Sequence, residues 1–331
     1  MNRSAASTLI LPLVAASSVA LAASAQDRSG PQPSPGSMVD ALHAAFGAHH
    51  ARAVHAKGVL AVGEFEPSAD AQRLCKAALF KARAVRVLVR FSDFTGLPDI
   101  PDAVPQANPR GLALKFTLPD GSTTDVVGHS FNGFPVATAA QFREFLLAVG
   151  ASPAGAPKPT ALDKFLVAHP IAVTFLTTQK PAPASYATLS YFGVNAFRLT
   201  AADGKQVYVR YRFVPVAGEA SATPETLRAN GQDYLVQELP TRLAKGPVSF
   251  RWYAQIAQPG DAIDDPSVAW PESRQLVELG VIRIDAMAAD QAGADRSSLF
   301  LPLNVPDGIV GADPMLGVRQ GAYPISFGAR Q

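Results

Sequence analysis

The sequence predicts an α+β domain built on an antiparallel β-barrel with flanking helices. Three observations carry this. First, apolar or alternating runs recur between turn residues: GVLAVGEF (58–65), VRVLVRFS (85–92), GLALKFTL (111–118), TDVVG (124–128), NAFRLT (195–200), QVYVRYRFV (206–214), VSFRWYAQIAQ (248–258) and LVELGVIRI (276–284). Runs this rich in β-branched and aromatic residues read as strands. Second, Asp120-Gly121 and Asp203-Gly204 are tight-turn signals that join neighbouring runs as hairpins. Third, the helical patterns lie at the start and in the middle instead of alternating with the strands, which argues against a parallel α/β sheet.

The N-terminus reads as an export signal over residues 1–25. Asn2-Arg3 forms a basic start, residues 9–22 an apolar stretch, and Ala23-Ser24-Ala25 a small-residue cleavage site. Cleavage before Gln26 would leave a periplasmic or secreted protein. Residues 26–37 are rich in Pro, Gly and Ser and read as a linker, leaving 38–331 as one domain. A helix is expected over 38–49, and another in ADAQRLCKAALF, where Cys75 would be a small buried hydrophobe. A third, over 139–149, has capping-box residues Thr138 and Gln141 and stops at Gly150. ASPAGAPKPT (151–160) reads as a loop within the domain.

Composition narrows the function classes. Of 331 residues, 48% are hydrophobic and 17% charged, which suits a globular chain with a substantial core. A net charge of +2 gives no electrostatic case for nucleic acid or an anionic membrane surface. The lone cysteine rules out an intramolecular disulfide framework and a cysteine-based metal cluster. After the leader, no segment is long and apolar enough to be expected in a membrane.

Chemistry concentrates in four segments. In RQGAYPISFGAR, Arg319 precedes Tyr323 by one helical turn. A phenol ordinarily ionises near ~10; a guanidinium on the same helix face favours the phenolate that a metal requires. Pro324 is expected to end the helix at Tyr323. The segment RAVHAKG carries Arg52, Val54, His55 and Lys57; VRFS carries Arg90 and Ser92; NPRGLALKF carries Arg110 and Lys115. Charges in such apolar context need partners. Convergence on one buried anion would satisfy the arginines, while projection to the surface is as good an account of Arg110 and Lys115.

The order R-x-x-H-A-K-G, V-R-F-S, N-P-R-G-x-A-x-K-F, D-x-V-G, W-P-E, D-G-I, D-x-M-L and R-x-x-x-Y-P resembles the haem catalases from about His49 onward. The resemblance is strongest to the short catalase-related peroxidases. It implies a barrel enclosing haem b, with Tyr323 as the iron's axial ligand and Arg319 supporting its phenolate. It makes His55 the distal acid–base residue and Ser92 the hydroxyl that orients it. Val54 would narrow the channel, and Arg52, Arg90 and Arg330 would pair with the haem propionates. Catalases follow D-x-V-G with two asparagines, the second positioning peroxide; Ser130 takes that register here, and His129 beside it reads as structural.

The activity implied is a haem-dependent peroxidase that reduces hydrogen peroxide or organic peroxides through a ferryl intermediate. A small organic reductant would complete the cycle, with weak catalase turnover beside it. Alternatives are a hydroperoxide-rearranging enzyme of allene-oxide type and a non-enzymatic haem-storage protein. The large catalases' C-terminal region has no counterpart here, so a monomer or homodimer is expected. Neither nucleic acid nor, after signal cleavage, a membrane is an expected partner.

Overall fold

The computed structural model describes residues 31–229 and 231–331; the expected leader (1–25) and the first part of the expected linker lie outside the described residues. All eight expected strands form: β1 Gly58–Pro67, β2 Val85–Ser92, β3 Gly111–Thr117, β4 Thr123–His129, β5 Tyr191–Thr200, β6 Gln206–Pro215, β7 Val248–Ile256 and β8 Leu276–Met287. They lie antiparallel in the order β4-β3-β2-β1-β8-β7-β6-β5. A pairing of His129 with Phe192 joins β4 to β5 and closes the barrel. A short β9, Ile309–Gly311, adds to β5.

The turns follow from their residues. Gly121 and Gly204 adopt φ of +84° and +86°, the left-handed backbone that glycine enters without penalty. Along β2, Val85, Val87 and Val89 are buried while Arg86 is exposed, the alternation that pins a register. The barrel is filled by aromatics: Trp252 is fully buried and stacks on Phe116 at 5.6 Å, with Phe65, Phe80, Tyr211 and Phe213 around it. Truncating such a side chain to alanine costs about 3–5 kcal/mol.

The helices are α1 Pro35–Phe46, α2 Ala69–Leu74, α3 Ala139–Gly150, α4 Ala161–Ala168, α5 Pro170–Thr177, α6 Pro224–Ala229, α7 Tyr234–Leu243, α8 Gln291–Ser297 and α9 Met315–Gly328. Three expectations need correction. Residues 35–37 belong to α1, not to a linker, because the Ser34 hydroxyl caps the Ser37 N–H and Pro35 suits the first helical position. Helix α2 stops before Cys75, which is extended and fully buried where the Lys76 N–H is drawn to the Thr200 carbonyl. Helix α9 continues through Pro324 to Gly328. The proline removes one N–H from the ladder, while the Ala53 N–H donating to Ser326 Oγ ties down the turn beyond it.

The capping of α3 also differs in detail. Thr138 Oγ1 accepts the Gln141 N–H as expected, but Gln141 Oε1 accepts from Ala137, one residue before the cap. A second apolar cluster joins α1, α3 and α9 through Met38, Val39, Leu42, Leu146, Met315 and Val318. This helical layer and the barrel strands β2–β5 enclose the space described next. No described helix is long and apolar enough to cross a membrane.

Candidate active site

A mainly apolar cavity, about 1460 Å³ of empty space counting its mouth, is walled by α1, α3 and α9 and by residues of β2–β5. Arg52, Val54, His55, Arg90, Ser92, Arg319, Tyr323 and Arg330 all line it. The structure thus brings together eight of the nine residues that the resemblance assigns to the site, all but Ser130.

His55 enters it from the segment before β1 in left-handed backbone, φ +58°, a conformation that costs a non-glycine residue energy and that collects at functional sites. Its N–H donates to the Phe94 carbonyl at 2.8 Å. Nδ1 lies 3.0 Å from the Asp93 carbonyl and 3.1 Å from Ser92 Oγ. A carbonyl only accepts, so Nδ1 carries the proton and Nε2 is left with a free lone pair. Burial, and then Arg90, push the imidazole pKa down to about 3, which keeps His55 neutral.

Tyr323 projects from α9, and its Oη accepts from Arg319 Nε at 3.0 Å and Nη2 at 2.6 Å. Two charge-assisted donors thus converge on that one phenol oxygen. Arg319 is itself held: Nη1 donates to Asn195 Oδ1 at 2.6 Å, and Asn195 Nδ2 donates to Asp313 Oδ2 at 2.7 Å. Asn195 sits where the β5–β6 register shifts, between Gly193 and Phe197. Sequence reading missed both Asn195 and Asp313; the D-x-M-L motif was the available signal for the latter.

Arg52, Arg90 and Arg330 gather on α8. Asp295 Oδ1 takes Arg90 Nε at 2.7 Å and Arg52 Nη2 at 3.2 Å, while Arg330 donates to the Asp295 and Ser298 carbonyls at 2.6 and 2.7 Å. Asp295 carried no signal in the sequence, because it lies in a polar stretch outside every motif. Burial, and then Arg90, lower the Arg52 pKa to about 9; burial also lowers that of Arg330. Three guanidiniums against one carboxylate leave two positive charges unmatched. That surplus fits a ligand with two carboxylates, as haem has, and the donor-flanked phenol fits a ferric iron ligand.

Arg110 and Lys115 neither join this cluster nor reach the surface freely. Arg110 is fully buried in an ion pair with Asp93 and donates to the Asp102 carbonyl. Lys115 pairs with Asp125 at 2.5 Å. Lys57 is buried between Asp102 and Asp233, at 2.5 and 2.7 Å.

Ser130 is the correction. Its Oγ accepts the Arg110 N–H at 2.9 Å and its own N–H donates to the Arg110 carbonyl at 2.8 Å, so the serine closes the end of the β3–β4 ladder. It is not among the residues lining the cavity; Val127 and His129 are. Strand residues two apart share a face, and a shift of one residue reverses it. The cavity-facing register after D-x-V-G is therefore that of His129, which sequence reading had set aside.

Comparison with known proteins agrees with this geometry. The family model "Catalase" matches residues 48–330. A catalase-related peroxidase of Mycolicibacterium paratuberculosis is 38% identical over 301 residues, 89% of this chain and 94% of its own. One from Synechococcus elongatus is 34% identical, covering 89% of this chain and 88% of its own. Mouse catalase is 30% identical, with 82% of this chain matched to 55% of its own. Among solved structures, a fungal catalase superposes with a TM-score of 0.74 at 23% identity, over 85% of this chain and 59% of that one. A bacterial catalase gives 0.73 at 24%, over 85% and 57%, so the chain spans under two thirds of these longer structures. With the barrel, the phenol–guanidinium pair and the histidine–serine pair all in place, the chain belongs to the catalase family, whose members are peroxide oxidoreductases.

Proposed function

We propose that this protein is a haem-dependent peroxidase that reduces hydrogen peroxide or organic peroxides with a small organic reductant. The observation that carries the reading is the Tyr323 phenol held by two nitrogens of Arg319, in the same cavity as a neutral His55 whose Nε2 is free. Tyr323 would hold the iron through its phenol oxygen, and Arg52, Arg90 and Arg330 would take the propionates. Bound there, haem b would supply the ferric iron at which the peroxide O–O bond is cleaved.

The chain's own residues manage the protons and the water. The Ser92 hydroxyl and the Asp93 carbonyl hold the His55 proton on Nδ1, so Nε2 accepts the proton of the peroxide's near oxygen. Nε2 then returns it to the far oxygen, and the leaving group departs as water or alcohol instead of as an anion. A base that stays neutral at ordinary pH needs no prior deprotonation. Phe94, Phe134, Phe142 and Phe175 give the cavity an apolar aromatic wall that supports entry of organic molecules. The N-terminal residues support export, with cleavage before Gln26.

The test is to load the protein with haem, add hydrogen peroxide, and follow oxygen release and oxidation of a chromogenic reductant together. Reductant oxidation well above oxygen release is expected. Bound haem with neither signal would favour storage. Tyr323→Phe should lose haem or change its absorption, whereas His55→Ala should keep the absorption and lose most turnover; full activity in both variants would sink the assignment.

A further inference from the structure

Lys57 and Arg110 are motif cations that stay out of the cavity and belong to a buried polar cluster behind His55. Asp93 ties that cluster to the site. Its carboxyl is fully buried, pairs with the Arg110 guanidinium, and accepts the Tyr186 hydroxyl on the same oxygen, Oδ1, at 2.9 Å. Arg110 also donates to the Asp102 carbonyl, and Lys57 Nζ lies 2.5 Å from Asp102 Oδ1. The backbone is held as closely. The Asp93 N–H donates to the Lys57 carbonyl and the Phe94 N–H to the Ala107 carbonyl, both at 3.0 Å. The peptide linking Asp93 to Phe94 thereby presents the Asp93 carbonyl to His55 Nδ1 at 3.0 Å.

Two oxygens lie within reach of that ring nitrogen, and they are not equivalent. The Ser92 hydroxyl can donate or accept, so it is compatible with either tautomer. A carbonyl only accepts, so it alone requires the proton on Nδ1. With the carbonyl turned away, the hydroxyl is free to donate to Nδ1; the proton then sits on Nε2 and the base is lost.

Resting on the peroxidase reading, we propose that Asp93 is a positioning residue for His55: its carboxyl, clamped by Arg110 and Tyr186, keeps its own carbonyl on Nδ1. That carbonyl, not the Ser92 hydroxyl, selects the tautomer. The buried cluster acts on the chemistry through one peptide group, without touching substrate or cofactor.

The first test reads the tautomer in the haem-free protein carrying 15N-labelled histidine, by two-bond 1H–15N correlation. His55 should be protonated on Nδ1 in the wild type and remain so in Ser92→Ala. Asp93→Ala should show a substantial fraction protonated on Nε2. Asp93→Asn keeps an acceptor for Arg110 and Tyr186 and should keep the wild-type form. Both substitutions remove the charge that balances Arg110, so a merely structural role predicts equal effects. The second test is kinetic, in the haem-loaded protein. A reductant acts only after the O–O bond has broken. In Asp93→Ala, kcat/KM for hydrogen peroxide should therefore fall on the order of tenfold or more while kcat/KM for the reductant holds. Asp93→Asn should recover most of that loss. Should the alanine variant fail to fold, Tyr186→Phe, which removes one hydroxyl and keeps the ring, should show the same changes in smaller measure. His55 held on Nδ1 in the folded alanine variant, or in Tyr186→Phe in its place, overturns the proposal, as does a proton moved to Nε2 in Ser92→Ala. A wild-type protein that takes up no haem overturns the peroxidase reading, and the tautomer measurement still decides the role of Asp93.

Discussion

Gly111 passes so close to His55 that a Cβ on the glycine would stand 2.7 Å from Nδ1, and closer still to the Ser92 hydroxyl. Neither neighbour is a free side-chain tip, since His55 Nδ1 and Ser92 Oγ are already bonded to each other. Gly111→Ala should therefore displace the imidazole while leaving the arginine cluster and Tyr323 untouched. Misplacement by a fraction of an ångström to an ångström costs on the order of 10- to 100-fold in rate. The check is peroxidase turnover against haem content, with content expected to hold and turnover to fall.

The two cavity histidines set a pH dependence of stability. Both have folded pKa values pushed down to about 3 from the ordinary 6.5, mainly by burial. The unfolded chain thus binds protons below about pH 6.5 that the folded chain refuses. Stability is full above that pH and is lost as pH falls toward 3, with each histidine contributing up to about 1.4 kcal/mol per pH unit. Urea unfolding between pH 7 and 4 should show this fall, and His129→Asn should flatten its slope by up to that amount.

Asp295 should matter to both stability and cofactor. Burial opposes its charge, but Arg90 and then Arg52 outweigh that and hold the carboxyl below the usual carboxylate range. Its contribution is present above about pH 4 and is lost on further acidification. Asp295→Asn should leave three guanidiniums facing one another; with the Asp295 side chain 35% exposed, solvent screening keeps the loss below that of a fully buried pair, on the order of 1–2 kcal/mol. Added phosphate or haem should restore part of the loss, measured as a rise in thermal midpoint.

Asn195 links Arg319 to Asp313 across the cavity wall. Asn195→Leu removes both hydrogen bonds and leaves two buried polar groups short of partners, a cost of about 1–3 kcal/mol each. Loss of that brace should also let Arg319 move off Tyr323 Oη. A shift in the haem absorption of the variant, beside its lower stability, is the expected signature.

The N-terminal reading is tested by expression with the native leader in a Gram-negative host. Intact mass of the periplasmic product should correspond to a chain beginning at Gln26. A product retaining residues 1–25 would count against cleavage.

The strands were legible because their signals are local. Valines at 85, 87 and 89 and the Asp-Gly turns at 120 and 203 act on their immediate neighbours. The catalytic segments were legible because each carries chemistry in a short spaced motif. What escaped depends on long-range context. Asp295 is an ordinary acidic residue until Arg52 and Arg90 are brought to it from more than two hundred positions away. Pro324 breaks an isolated helix, but here the turn beyond it is held by Ala53. Ser130 and His129 differ by a single register step, and only the partner strand tells which one faces inward.

The arginine cluster also orders events in time. Most barrel hairpins join neighbours in sequence, whereas the Arg52–Asp295 contact spans 243 positions and Arg90–Asp295 spans 205. Closing such large loops is entropically slow, so contacts of this span form late in folding. β1 pairs with β8 over a comparable span, so a refolding chain should acquire affinity for a dianion only as the barrel closes around Trp252. Capacity to accept a cofactor then becomes a report on completed folding: a chain stalled with only its sequence-local hairpins would lack both the β1–β8 seam and the arginine cluster and be unable to load.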